Sequence, residues 1–389
     1  MQIFLTGTTG FLGGELLVEL SKNADVEKIF CLVRAISEDA AFHRIKKVFD
    51  FHGDYLDPQK IIPVVGDLTD TQLAQKLIAN TQLSAVDTIL HSAANTSFSK
   101  IYDDIVERVN IGGAQQILEW ARTLKGLNVF TYVGTATICG ATVENMVVSE
   151  DMSPNLSAKH LVKYSYTKMM GELLLRNYLP DEKILVVRPS IIMGDSREWV
   201  PRSYVILWAL ATLNELRLIP ANPQSKVDII SIDYAARSII EVLMNKQRKY
   251  NVYHISSGES SYTTPELATN AIKKFFPDKP DFKFVDKKLL ADMKKWTKNV
   301  SMISDQSHLH QYNDYLNYWI DNFGDNTKLR ILFYALEPYI NFISLNQVFD
   351  NSRLLEDTNM GHSIPAHVYL QNTGQHIRKI NIFEGAVDP

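Results

Sequence analysis

The stretch that decides the fold is Ile3-Phe4-Leu5-Thr6-Gly7-Thr8-Thr9-Gly10-Phe11-Leu12-Gly13-Gly14, close to the N-terminus. It opens with an apolar run that is too short for a helix and is ended by glycine, which predicts a buried strand. Gly7 suits a tight turn, Gly10 lets backbone N–H groups approach phosphate oxygens, and Gly13 lets the following helix pack closely on the strand. A strand, a glycine turn and a helix N-terminus in this order predict a pyrophosphate-binding site, with an ordinary glycine turn as the alternative.

The second predicted strand, residues 28–34, ends in an arginine, Arg34. Where such a strand meets the adenosine ribose of a dinucleotide, an acidic residue suits the 2′-hydroxyl of NAD and an arginine suits the 2′-phosphate of NADP. Arg44, on the helix that follows, adds a second guanidinium whose paired donors match phosphate geometry. The pattern therefore predicts NADPH as the cofactor, and an exposed arginine at a strand end is the alternative.

The alternation of strands and helices predicts the fold class. Strand patterns at 61–68, 86–91, 128–133 and 184–188 are separated by helical patterns, which is typical of a parallel sheet covered on both faces. We expect a Rossmann-type doubly wound α/β domain that binds NADP over residues 1–195. Strand-like runs at 226–232 and 251–255 predict that this domain resumes at about 226–258. The remainder, 196–225 and 259–389, is expected to form a smaller, mostly helical substrate-binding region.

Composition limits the class of protein. The chain has 389 residues, a net charge of −4, and 46% hydrophobic and 22% charged residues, so nothing in it favours nucleic acid as a partner. Its two cysteines, Cys31 and Cys139, indicate a reducing compartment without a disulfide framework. We expect no signal peptide and, because no uncharged apolar run reaches 18 residues, no transmembrane segment. A cytoplasmic location follows as an expectation.

Tyr164 and Lys168 are four residues apart in a helical pattern, so they should lie on one face. An ammonium beside a phenol favours the phenolate, which predicts a lowered tyrosine pKa and a role as general acid or base. Tyr166 is only two residues from Lys168, so its side chain should point elsewhere. A surface tyrosine–lysine pair is the alternative, because this spacing is common.

The C-terminal half carries weaker signals. An apolar helix at 204–218 is expected to contribute to a substrate lid. Residues 273–298 contain nine lysines and four aspartates, a local charge of +5, which indicates either a solvated pair of amphipathic helices or a docking surface for an acidic partner. Aromatic and aliphatic residues at 312–319 and 329–349 should be mostly helical. They would form a separate core or the wall of an apolar pocket.

Several motifs, in this order and at these approximate spacings, resemble the extended short-chain dehydrogenase/reductase family. They are Thr6-Gly7-Thr8-Thr9-Gly10-Phe11-Leu12-Gly13, Gly66-Asp67-Leu68, His91-Ser92-Ala93-Ala94, Tyr132-Val133-Gly134-Thr135-Ala136, Tyr164 to Lys168, and Arg188-Pro189-Ser190-Ile191. Within that family the chain is most similar to the thioester reductases, including fatty acyl-CoA reductases of the male-sterility type. The signs are Cys31-Leu32-Val33-Arg34-Ala35 with Arg44, the continuation of the last motif to Ser196, and Val227-Asp228-Ile229-Ile230-Ser231-Ile232-Asp233-Tyr234.

This resemblance implies a set of site residues and no metal. The implied catalytic residues are Asn110, Thr135, Tyr164 and Lys168, with Thr137 as a substitute for Thr135. Cys139 stands where many relatives carry tyrosine. The implied cofactor-binding residues are Gly7, Thr9, Gly10, Phe11, Leu12, Gly13, Arg34, Arg44, Asp67, Leu68, Ser92, Ala93, Ala94, Lys168, Pro189, Ser190 and Ile191.

The implied activity is NADPH-dependent reduction of an acyl thioester, carried by CoA or an acidic acyl-carrier protein, to the aldehyde. Reduction onward to the alcohol stays open. Two alternatives remain. One is an extended reductase or epimerase that acts on a ketone, a hydroxyl or a nucleotide sugar, and the other is a cofactor-sensing protein with a decayed active site.

Overall fold

The computed structural model describes residues 1–141, 143–197, 205–296, 307–323 and 326–383. The strands in chain order are β1 (Gln2–Thr6), β2 (Lys28–Val33), β3 (Ile61–Val65), β4 (Thr88–His91), β5 (Val129–Val133), β6 (Val147–Val148), β7 (Ile184–Pro189), β8 (Ile191–Ile192), β9 (Leu218–Ile219), β10 (Ile229–Ile230), β11 (Val252–Ile255), β12 (Lys283–Phe284) and β13 (Val348–Phe349).

The α-helices are α1 (Phe11–Lys22), α2 (Glu38–His52), α3 (Leu73–Ala79), α4 (Asp103–Glu107), α5 (Gly113–Ala121), α6 (Lys163–Tyr178), α7 (Val205–Leu216), α8 (Ile232–Met244), α9 (Gly258–Ser261), α10 (Pro265–Lys273), α11 (Leu289–Trp296), α12 (Asn313–Phe323), α13 (Asn326–Ser344), α14 (Ser352–Asp357) and α15 (Ala366–Ile377). A π-helical turn, Arg108–Gly112, joins α4 to α5. Short 3₁₀ turns lie at Thr81–Ala85, Lys100–Tyr102, Ala136–Cys139, Asp181–Lys183 and Ser307–Tyr312.

Seven parallel strands form the central sheet in the order β3-β2-β1-β4-β5-β7-β11. The order reverses between β1 and β4, which pair in parallel along Ile3–Thr6 and Thr88–His91. A crevice opens at such a reversal beyond the carboxyl ends of the strands, and ligands bind there in open α/β sheets. The glycine turn follows β1 directly, so the fold places it at this crevice.

Helices cover both faces of the sheet, which confirms the predicted doubly wound fold. On one face α1, α2 and α8 bury residues such as Leu16, Ile45 and Ile239. On the other, α3, α5 and α6 bury residues such as Trp120 and Leu175. The strands between them are mostly apolar because helices cover both faces, and polar residues such as Thr131 and Arg188 are the exceptions.

Two details of the predicted fold are wrong. The run at 226–232 does not rejoin the central sheet: its short strand β10 pairs with β8 in a separate two-stranded sheet, and β11 alone extends the sheet beyond β7. The sequence also predicts one long helix over 103–124 that carries Asn110, but the π-helical turn interrupts it between α4 and α5. Such turns insert an extra residue and are frequent at functional sites.

A second apolar core lies among the helices of the C-terminal half. It is built from α7, α10, α11, α12, α13 and α15, and its largest buried side chains include Trp208, Trp319 and Phe333. The chain then returns to the sheet, where α14 packs on β11 and α8. Within the described ranges, no helix is both long enough and apolar enough to cross a bilayer.

Candidate active site

Helix α6 carries Tyr164 and Lys168, and three contacts fix it on the sheet. Glu172, one turn beyond Lys168, accepts hydrogen bonds from Arg188 Nε at 3.0 Å and Nη2 at 2.7 Å. Gly171 lies against Tyr132 of β5, so close that a Cβ there would come within 2.0 Å of the Tyr132 oxygen. The same Tyr132 hydroxyl donates to the carbonyl oxygen of Lys168 at 3.1 Å.

One cavity of about 590 Å³ joins most of the predicted site residues. Its polar end is lined by the glycine turn, by the small residues after β4, by Thr135, Tyr164 and Lys168, and by the segment that follows β7. Its other end is mostly apolar, with threonines at 263, 264 and 269. It is lined by Ala209, Leu210, Leu213, Ile219, Val227, Ile229, Pro265, Ala268, Tyr339, Phe342 and Ile343.

The electrostatics of the tyrosine–lysine pair differ from the expectation. Burial raises the pKa of Tyr164 to about 12, whereas the sequence predicted a lowered value. Burial also lowers the pKa of Lys168 to about 7, so its ammonium is only partly charged near neutrality and favours the phenolate weakly. The Lys168 nitrogen lies 4.6 Å from the centroid of the Tyr132 ring. In this state Tyr164 is therefore a neutral hydroxyl, suited to donate a hydrogen bond or a proton.

Thr135 and Thr137 both reach the cavity. Their hydroxyl oxygens are 3.0 Å apart, and the Thr135 oxygen accepts the backbone N–H of Thr137 at 3.4 Å. The two threonines thus form one hydroxyl pair at the end of β5. This explains why sequence alone left them interchangeable.

Asn110 does not line this cavity; it connects two parts of the site. Its amide oxygen accepts from Asn95 N at 2.7 Å, and its amide nitrogen donates to Asn95 O and to Thr167 Oγ1, both at 2.9 Å. Asn95 belongs to the segment after β4, and Thr167 precedes Lys168 on α6. Since both amide hydrogens are engaged, Asn110 positions these two elements, and only a remaining lone pair of its oxygen could meet a water.

The residues at the glycine turn fit a pyrophosphate. Gly7 has a φ of +80°, and a Cβ on it would lie 2.9 Å from Ala93 N, while a Cβ on Gly13 would lie 2.1 Å from Gly7 O. Gly10 begins α1 without a side-chain cap, and no acidic residue lies in the first turn. Phe11, Leu12 and Gly13 of that turn line the polar end of the cavity. The unpaired N–H groups of a helix N-terminus stabilise an anion in such a position.

The residues predicted to bind the adenosine end of the cofactor do not line the cavity. Arg44 is exposed and donates to Arg34 O and, at 3.3 Å, to Thr9 Oγ1, so it joins the tip of β2 to the glycine turn. Asp67 accepts from Thr69 N and Oγ1, both at 2.9 Å. Leu68 packs against Gly113, whose Cβ would come within 2.7 Å of it.

Sequence reasoning missed the aromatic residue Phe98, which lines the cavity after β4. Only long-range packing brings it to Tyr164, so no local pattern could have found it. For 329–349, both predicted roles are present: Phe333 and Leu336 are buried in the C-terminal core, while Tyr339 and Phe342 line the cavity. Cys31 and Cys139 are buried free thiols, and the described residues contain no cluster of side chains suited to a metal ion.

Comparison with known proteins gives the family. A family model described as "Male sterility protein" matches residues 5–239, and the chain therefore belongs to that family. It is a family of nicotinamide-dependent oxidoreductases. By class, the chain is one of them.

Two relatives show the range of similarity in sequence. The chain is 32% identical to isonitrile lipopeptide synthase of Mycobacterium tuberculosis over 233 residues, which cover 53% of this chain and 9% of that protein. It is 26% identical to fatty acyl-CoA reductase 2 of Mus musculus over 301 residues, covering 66% of this chain and 58% of that one. The chain thus spans only part of the length of either relative.

The structural neighbours show the fold alone, because they are less than 25% identical. The terminal R domain from the myxalamid biosynthetic pathway superimposes with a TM-score of 0.70 at 19% identity, over 97% of this chain and 90% of that one. UDP-glucuronic acid 4-epimerase from Bacillus cereus gives 0.62 at 17% identity, over 98% of this chain and 100% of that one.

The burial of Lys168 predicts a pH dependence. Because burial lowers its pKa to about 7, raising the pH through this value removes the ammonium from the cofactor-free protein. If the reaction needs that charge, kcat/KM for the reduced cofactor should fall about tenfold per pH unit above pH 7. Lys168→Arg keeps a cation at all these pH values, so it should lack this limb although its rate at pH 7 is lower. If kcat/KM of the unaltered protein does not change between pH 6.5 and 9, the role assigned to the Lys168 ammonium is wrong.

Proposed function

We propose that the protein reduces acyl thioesters to aldehydes with NADPH. The observation that carries the proposal is one cavity that joins a polar end, lined by the glycine turn and by Thr135, Tyr164 and Lys168, to a mostly apolar chamber. The polar end suits the reacting carbonyl and the cofactor, and the apolar end suits an acyl chain. Relatives named fatty acyl-CoA reductase support the same interpretation.

Tyr164 and the Thr135–Thr137 pair would act on the carbonyl oxygen. When bound, NADPH supplies the hydride. As negative charge grows on the oxygen, the Tyr164 and Thr135 hydroxyls donate hydrogen bonds to it. Tyr164 then gives its proton to that oxygen and is reprotonated from solvent. When the hemithioacetal collapses, its C–S bond breaks and the hydroxyl proton passes to the departing sulfur, which gives the aldehyde and a free thiol. Tyr164 is only partly accessible in the cavity, and hydrogen bonds in such a low-dielectric site are stronger than they would be at the surface.

Lys168 and Asn110 would support this chemistry. Lys168 lines the cavity and would hold a ribose hydroxyl of the nicotinamide nucleoside, while Pro189, Ser190 and Ile191 orient its carboxamide. Asn110 holds α6 against the segment after β4. The aldehyde is the proposed first product, and the alcohol would form only if the aldehyde stayed bound while the cofactor was exchanged.

The epimerase alternative receives less support from the cavity. Among its described lining residues, Lys168 is the only one with a formal charge. A nucleotide sugar would bring its hydroxyls and phosphates against walls from α7, α10 and α13 that are apolar apart from Thr269 and the Tyr339 hydroxyl. Unpaired polar groups in such a setting are costly.

The direct test uses a panel of acyl-CoA thioesters of different chain length with NADPH, followed by absorbance and product mass. We expect an aldehyde and one free thiol per NADPH oxidised. Tyr164→Phe should lower kcat by about 10²-fold or more, because it removes the proton donor, and should leave NADPH affinity unchanged. Tyr166→Phe, on the same helix, serves as the matched control and should retain activity. Turnover of a ketone or a nucleotide sugar, with no thioester consumed, would overturn the proposal.

The preference for NADPH over NADH is proposed from Arg34 and Arg44. Both are exposed, and Arg44 already bridges the tip of β2 and the glycine turn, so a 2′-phosphate there would meet two guanidinium groups. Arg34→Ala should raise the Kd for NADPH by about tenfold or more and change that for NADH little. Lys47→Ala, which removes an exposed cation from the same helix as Arg44, is the control. Equal losses for both cofactors in Arg34→Ala would contradict the 2′-phosphate assignment.

An acidic carrier protein is the proposed source of the acyl group, docking on residues 273–298. Ion pairs in the folded chain neutralise some of the lysines on this surface. Lys298 lies outside the described residues. Among the described residues of the stretch, four lysines are ion-paired: Lys273 with Asp281, Lys279 with Glu215, Lys294 with Glu337, and Lys295 with Asp292. The two glutamates come from outside the stretch, so the local charge falls from +5 to +3. Lys287 and Lys288 are exposed at the start of α11, and within the described residues no ion pair involves them.

Docking can therefore be tested without disturbing packing. Lys287→Glu with Lys288→Glu should raise KM for an acyl-carrier substrate by about tenfold and leave KM for a short N-acetylcysteamine thioester unchanged. Lys125→Glu with Lys47→Glu, at two exposed positions in the N-terminal half of the chain, makes the same change in net charge and is the control. If the double variant changes KM for both thioesters to the same extent, or for neither, this surface does not dock a carrier protein and is an ordinary solvated helix.

A further inference from the structure

Phe98 connects the two ends of the cavity. Its ring centroid lies 6.1 Å from that of Tyr164, 5.1 Å from Tyr339 and 5.5 Å from Phe342, with interplanar angles of 37°, 36° and 36°. These separations are typical of aromatic pairs in contact. All four rings line the cavity. Phe98 therefore lies between the phenol at the polar end and helix α13 at the apolar end.

The backbone around Phe98 is held in place. Asn110 binds both the N–H and the carbonyl of Asn95. The Asn95 side chain then accepts from Ser97 N at 3.0 Å, and Ser97 Oγ accepts from Ser99 N at 3.3 Å. Since Asn110 also binds Thr167 on α6, the segment with Phe98 and the helix with Tyr164 share one anchor. The distance between the two rings is therefore set by the fold.

The far side of Phe98 is equally constrained. Tyr339 packs against Trp208 of α7 with ring centroids 5.7 Å apart, and both are buried in the C-terminal core. Phe98 cannot move toward α13 without displacing this pair, nor toward α6 without displacing Tyr164. A well-packed wall of this kind tolerates added volume poorly.

We propose that Phe98 is a specificity-determining residue that limits the bulk of the substrate next to the reacting carbonyl. The carbons adjacent to a carbonyl held at Tyr164 would pass the Phe98 ring before the chain reached the apolar chamber. Unbranched acyl groups fit along this ring, whereas a branch or an aryl ring at the first carbon collides with it. This inference rests on the proposed thioester reduction.

The test compares hexanoyl-CoA with 2-ethylhexanoyl-CoA and benzoyl-CoA. The unaltered protein should favour the unbranched thioester by about 10–200-fold in kcat/KM, the range that small differences in volume produce in apolar pockets. Phe98→Ala should bring this ratio close to one, mainly by raising KM for the unbranched substrate and lowering it for the bulky ones. Phe342→Ala, on the opposite side of the ring, should shift the ratio in the same direction even if Phe98→Ala folds poorly.

Ile101→Ala is the matched control, since Ile101 belongs to the same segment, is 88% exposed and does not line the cavity. The ratio of kcat/KM values for unbranched and bulky thioesters in Ile101→Ala should equal that of the unaltered protein. NADPH affinity should be unchanged in every variant. If Phe98→Ala and Phe342→Ala both reduce thioesters with the same ratio of kcat/KM values as the unaltered protein, the proposed role of Phe98 is wrong. The proposed function would still stand. Failure of the unaltered protein to reduce any thioester would instead overturn the proposed function, and this inference with it.

Discussion

The buried ion pair between Arg188 and Glu172 is the constraint on which the site depends. Their side chains are 1% and 0% exposed, and the guanidinium engages the carboxylate with two hydrogen bonds. Removing one partner of such a pair leaves an uncompensated buried charge, which costs about 3–5 kcal/mol. The pair ties α6 to β7. It thereby fixes Tyr164, two turns before Glu172, at the carboxyl edge of the sheet.

Gly171 and Tyr132 set how closely α6 approaches β5. Because no side chain separates them, the Tyr132 hydroxyl can reach the Lys168 carbonyl, and its ring lies beside the Lys168 nitrogen. The resulting burial lowers the pKa of Lys168 to about 7 and raises that of Tyr164 to about 12. The same close packing that positions the pair thus gives a neutral phenol as a donor, and a bound anionic cofactor would favour the charged form of Lys168.

Local sequence patterns predicted the parts of the site that depend on local geometry. The glycine turn follows from the spacing of three glycines after a short apolar run, and the common face of Tyr164 and Lys168 follows from helical periodicity. The direction of the Tyr164 pKa shift could not be predicted, because it depends on burial in the folded chain, where elements distant in sequence surround the phenol. The charge of the 273–298 stretch was overestimated for the same reason: Glu215 and Glu337 reach it only in the folded chain.

A single turnover with NADPH deuterated at the transferable position tests the central claim most directly. With an acyl-CoA in excess over protein and cofactor, we expect an aldehyde that carries one deuterium at its carbonyl carbon, with one equivalent of free CoA thiol per cofactor oxidised. An aldehyde without deuterium, or cofactor oxidation without release of thiol, would contradict hydride transfer to a thioester carbonyl held at Tyr164.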